Sequence, residues 1–158
     1  VYVSLYKYFG APFGAMLAGT EEFVADLFQE RRMFGASLSS GGYLAAALAL
    51  CGLDGFEERF ERAMRKANDL FDAINTLEGI SVGRFDNGSN IFPLDLALEI
   101  DRTTFLSQLR ERWVFVYPHE NKPDETYLTV NTTILRQSND RLFRIFEDAL
   151  IASRRTDA

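Results

Sequence analysis

Hydrophobic and polar positions change period several times along the chain. Residues 1–5, Val-Tyr-Val-Ser-Leu, are β-branched and aromatic in the pattern of a strand. A segment punctuated by Gly10, Gly14 and Gly19 follows, with a second strand predicted over 13–18. Thr20 then stands as an N-cap, Glu21 and Glu22 fill a first turn where carboxylates suit the helix dipole, and Phe23, Leu27 and Phe28 mark one face of a helix to about Phe34. A loop is predicted over 35–42. The helix predicted over 43–53 is apolar almost all round, which in a globular protein implies burial on most sides and a central place.

From Gly55 the apolar residues Phe56, Phe60, Met64, Ala67, Phe71, Ile74 and Leu77 recur every three or four positions among charged ones, which predicts a long amphipathic helix suited to connect two domains. Beyond it the pattern predicts strands over 80–84 and 90–97 around an Asp86-Asn87-Gly88 turn, then a helix over 101–112. Strands over 114–117 and 126–130 flank a loop over 118–125, and a helix covers 139–153. This β-β-α-β-β-α order implies an α/β fold, a small sheet covered on one face by two helices. The chain starts at Val1 inside a strand, so it is expected to be the C-terminal part of a longer one.

Composition narrows the function classes. With 17 basic and 23 acidic residues the net charge is −6, so nucleic acid and anionic membrane surfaces are poor partners. The uncharged run 8–20 is too short for a membrane span and is broken by Gly10, Pro12, Gly14 and Gly19. One cysteine, Cys51, and one histidine, His119, assemble no disulfide and no usual zinc site.

Lys7 is the only charged residue before Glu21 and lies between Tyr6 and Tyr8. A lysine past a strand end, walled by aromatics, can be desolvated, which favours the neutral nucleophilic amine that Schiff-base chemistry needs. A surface lysine snorkelling from a strand end is the plainer alternative. The glycines lack phosphate-loop spacing and read as turn residues.

Residues 4–19, Ser-Leu-Tyr-Lys-Tyr-Phe-Gly-Ala-Pro-Phe-Gly-Ala-Met-Leu-Ala-Gly, with Arg31-Arg32-Met33-Phe34-Gly35 and Gly42-Tyr43-Leu44-Ala45-Ala46-Ala47, resemble the threonine aldolase and β-eliminating lyase family of pyridoxal-phosphate enzymes. The resemblance runs without gaps over about residues 1–50. It implies that Lys7 holds pyridoxal 5'-phosphate as a Schiff base; Ser4 either donates to its phosphate, as the equivalent serine does in some aminotransferase relatives, or is a strand serine facing solvent or neighbouring backbone. It also implies an aspartate-aminotransferase-like arrangement. Residues 1–40 would end a large cofactor domain with a mostly parallel sheet, 41–78 would form buried and connecting helices, and 79–158 a small C-terminal domain.

The family's Gly-Gly-Gly-Met-Arg-Gln-Ala-Gly reads Gly35-Ala36-Ser37-Leu38-Ser39-Ser40-Gly41-Gly42 here, and Thr126 stands where an Arg-Leu-Val-Thr-His-like strand carries the arginine for the substrate carboxylate. Either another arginine meets that carboxylate, with Arg84 and Arg136 as the candidates, or the substrate differs. Ser4-x-x-Lys7 also matches penicillin-binding proteins and class A β-lactamases, but their Ser-Asp-Asn and Lys-Thr-Gly companions are missing. His119, in Tyr117-Pro118-His119-Glu120, reads as an exposed loop residue. The expectation is a cytoplasmic, homo-oligomeric lyase of small amino acids, with aldol cleavage to glycine and an aldehyde leading and β-elimination second. A non-catalytic remnant that dimerises or docks is the reading from another class.

Overall fold

The computed structural model describes residues 1–33, 39–119 and 122–155, and the chain divides into two compact units, Val1–Glu58 and Arg59–Ala158. In the first, strand β1 (Tyr2–Ser4) pairs antiparallel with β2 (Ala15–Leu17), Ser4 lying opposite Ala15. The Leu5 N–H donates to the Gly14 carbonyl at 3.0 Å and closes the hairpin. Its ten-residue excursion contains one helical turn, α1 (Leu5–Tyr8), where the sequence pattern continued the strand through Leu5. Gly10 (φ +73°) and Gly14 (φ +102°) take left-handed conformations that reverse the chain, as their turn reading requires.

Thr20 caps α2 (Glu21–Val24), its Oγ1 accepting from the Phe23 N–H at 3.3 Å. The single helix expected to Phe34 is two, α2 and α3 (Leu27–Met33); neither buries a residue, so packing does not hold them as one. Phe34 lies outside the described residues. Helix α4 (Ser39–Leu53) begins before the expected 43, so the loop predicted over 35–42 is helical from Ser39. Its Gly41-Gly42 pair sits in the first turn, where backbone N–H groups need no intrahelical acceptor.

Helix α4 buries only a narrow stripe. Ala45 and Ala49 pack with Leu5, Ala11 and Phe9, while Tyr43, Leu44, Leu48, Leu50 and Leu53 are exposed. Within this chain α4 is thus covered along one stripe only, where the sequence pattern expects burial on most sides.

In the second unit, α5 (Phe56–Ile74) presents Ala63, Ala67, Leu70, Phe71 and Ile74 to the core, as its spacing predicts. The sheet contains β3 (Ile80–Val82), β4 (Ile91–Leu96), β5 (Tyr117–His119) and β6 (Lys122–Thr129) in the order β3-β4-β6-β5, each pair antiparallel. Cross-strand register sets Val82, Leu94 and Thr126 side by side on the buried face. Helices α6 (Arg102–Glu111) and α7 (Asn139–Ala152) complete the core through Phe105, Leu109, Ile145 and Phe146. Helix α5 thus joins the two helices expected over this sheet, because its apolar stripe needs the same cover.

The α/β class is as expected, and every strand pair among the described residues is antiparallel; two local boundaries differ from the sequence pattern. The strand expected over 114–117 begins only at Tyr117, and much of the loop expected over 118–125 is strand. Pro118, placed in the expected loop, belongs to β5 at the sheet edge, where a missing N–H is tolerated, and the register slips at Pro118/His119.

Residues 114–116 are displaced from strand geometry by the end of α6. The Val114 N–H donates back to Leu109 and the Trp113 N–H to Arg110, both at 3.0 Å, forming a Schellman cap. Trp113 occupies its left-handed position at φ +64°, a place that favours glycine, at a strain of about 1–2 kcal/mol.

Candidate active site

Lys7 sits on α1 inside the β1-β2 excursion, and it is exposed, as are Tyr6 and Tyr8. The desolvation expected from its aromatic neighbours is therefore not provided by the described residues: the helical turn fans the side chains outward, where a strand end would have stacked them. Among the described residues Lys7 makes no ion pair, and its amine is open to a small electrophile. Ser4, three positions earlier, has its Oγ buried and without a hydrogen-bond partner among the described residues. A buried hydroxyl in that condition is costly, and a phosphate oxygen reaching it would relieve the cost.

These two residues fit pyridoxal phosphate as an amine and a hydroxyl donor. The loop between them and β2 is held by Leu5 and Ala11, buried against Ala45 and Ala49 of α4. Tyr8 and Phe9 meet Phe56 edge-on, with ring centroids 6.2 and 5.1 Å away. The Lys7 turn is thus anchored on both sides although Lys7 itself is free to project.

The Arg31-Arg32 pair quoted for the resemblance has a local packing role. Both guanidiniums lie over the Phe28 ring, at 5.3 and 5.8 Å from its centroid. Ser39 and Ser40 open α4, and their side chains lie outside the described residues, as do those of Tyr117, His119 and Lys122.

The sequence model of the beta-eliminating lyase family matches residues 1–96, more than half of the chain, and Lys7 lies within that stretch. The chain belongs to the beta-eliminating lyase family. Members are lyases that generally depend on pyridoxal phosphate. No curated protein matches the chain.

The lyase-family stretch also contains Arg84, whereas Thr126 and Arg136 lie beyond it. Arg84, just past β3, is exposed and pairs with Asp72 of α5 at 3.4 Å. Thr126 is 2% exposed on the core face of β6, with its hydroxyl unpartnered, so it does not border an open carboxylate site. Arg136 ends the 3-10 turn Thr132–Arg136 and lines a cleft of about 350 Å³. No hydrogen bond or ion pair engages it among the described residues.

Sequence reasoning missed this cleft and the exposed Trp113 and Phe115 that border it. The available signal was a tryptophan directly after the polar end of a helix, where a glycine would be usual. Among the described residues no group of His, Cys, Asp and Glu could hold a metal ion, and no helix is long and apolar enough to cross a membrane.

Proposed function

We propose that this lyase-family chain serves a cytoplasmic, homodimeric enzyme that uses pyridoxal phosphate at Lys7 to cleave small amino acids. Aldol cleavage of a β-hydroxy-α-amino acid to glycine and an aldehyde is the leading reaction. The observation that carries the reading is an exposed lysine on an anchored turn inside the family-matched stretch. When bound, pyridoxal phosphate supplies an electron sink for breaking a bond at the substrate's Cα or Cβ.

The chain's own contributions are specific. Among the described residues, no carboxylate holds the Lys7 amine as an ion pair and the Ser4 hydroxyl has no hydrogen-bond partner. The exposed apolar side chains of α4 support an association of two copies. β-Elimination is the second reading, favoured by the description of the matched family.

Incubation with pyridoxal phosphate, reduction with borohydride and peptide mapping test the site. The pyridoxyl adduct is expected on Lys7 and absent in Lys7→Arg, whose circular dichroism stays unchanged; an adduct on Lys66 or Lys122 without one on Lys7 overturns the assignment. Product analysis separates the reactions: glycine with an aldehyde for the first, a keto acid with ammonia for the second.

A further inference from the structure

The cleft beside Arg136 combines three features that packing alone does not require. Its floor is apolar, formed by Phe71, Leu128, Val130 and Phe146. At its border stands Trp113, 81% exposed and held in a left-handed conformation where glycine would be unstrained, with Phe115 edge-on at 6.2 Å. A bulky residue kept at such a position without burial points to a use other than stability. Arg136 lines the same cleft with no partner for its charge among the described residues, in a protein whose net charge is −6.

We propose that this cleft binds a small carboxylate bearing a flat apolar group, an aromatic acid. Arg136 takes the carboxylate, since a guanidinium forks onto its two oxygens. Trp113 and Phe115 cover the ring, and the floor removes its lower face from water. The site goes beyond the lyase reading and needs nothing from Lys7.

Titration with phenylacetate tests it. Trp113 is the protein's single tryptophan, so its emission reports the cleft directly, and calorimetry on the same solutions measures binding without it. Phenylacetate has no amine and no pyridoxal phosphate is added, so failure here leaves the Lys7 reading untouched and failure at Lys7 leaves this site untouched. Saturable binding is expected, weaker by about 10-fold or more for phenylacetamide, for acetate and for Arg136→Gln, and weakened in Trp113→Gly by calorimetry. Absence of saturation, or equal affinity for phenylacetamide, for Arg136→Gln or for Trp113→Gly, overturns the assignment.

Discussion

Gly52 of α4 lies against the backbone of Phe9: a Cβ at position 52 would stand 1.9 Å from the Phe9 carbonyl oxygen and 2.5 Å from its carbon. Backbone atoms of a short anchored loop cannot swing aside as the end of a long side chain can. Helix α4 therefore approaches the segment just after Lys7 at a distance only glycine permits.

Gly52→Ala tests that contact. Alanine favours a helix over glycine by about 1 kcal/mol, yet the clash is expected to outweigh this and destabilise the first unit by about 3 kcal/mol. Thermal unfolding followed by circular dichroism measures the loss. The same substitution at Gly42, where a Cβ meets nothing within 4 Å, should be neutral or stabilising.

Trp113→Gly should act in the opposite direction. Removing a Cβ from the left-handed position of the α6 cap relieves about 1 kcal/mol of strain, and the exposed ring gives up little burial. A higher unfolding midpoint in urea is the expected result; a lower one would mean that the ring contributes packing that outweighs the strain.

Thr126→Val removes an unpartnered buried hydroxyl while keeping the shape of the side chain. With Leu94 beside it on the core face, the second unit should gain about 1 kcal/mol. Thr126→Ser, which keeps the hydroxyl and loses a methyl, should be less stable than the parent, and denaturant midpoints order the three.

Asp101 caps α6 from an exposed position. Donation from the Thr104 hydroxyl, then from the Thr104 N–H at 2.8 Å, and the nearby charge of Arg155 hold its carboxyl below the ordinary aspartate value. Because the folded-state pKa is depressed, the contribution is full above the unfolded value of about 4 and is lost as pH falls through the lower folded value. Asp101→Asn keeps an accepting oxygen without the titration. The difference in unfolding midpoint between the two proteins should therefore shrink on acidification, and a difference independent of pH would contradict this account.

Much of the fold was legible because it is local. Thr20, Asp101 and Ser138 are caps that act on the next three residues and each accepts a backbone N–H there, though the sequence pattern named only Thr20 as a cap. The spacing of Ala67, Phe71 and Ile74 set the buried stripe of α5, since helical period alone decides which residues share a face. The turn at Asp86-Asn87-Gly88 also follows from local chemistry, with Asn87 at φ +53°. Lys7 was singled out in the same way, from its neighbours and the motif around it.

Other features depended on partners distant in the chain. Residues 118–125 read as a loop until the strand holding Pro118 is known to lie at the sheet edge, because the tolerance of a missing N–H depends on what lies alongside. Helix α4 reads as apolar all round, but which of its residues this chain covers, Ala45 and Ala49, depends on where Leu5 and Ala11 come to lie. Thr126 reads as a place for a substrate contact until register sets it beside Leu94, since a strand's two faces are told apart only by pairing. By itself the sequence determined the caps, the helix faces and the family-matched lysine turn, all properties of neighbouring residues. Tertiary structure alone decided which strand is an edge, which face of the sheet is covered, and that Trp113 and Arg136 border one cleft, because these depend on backbone segments brought together from far apart.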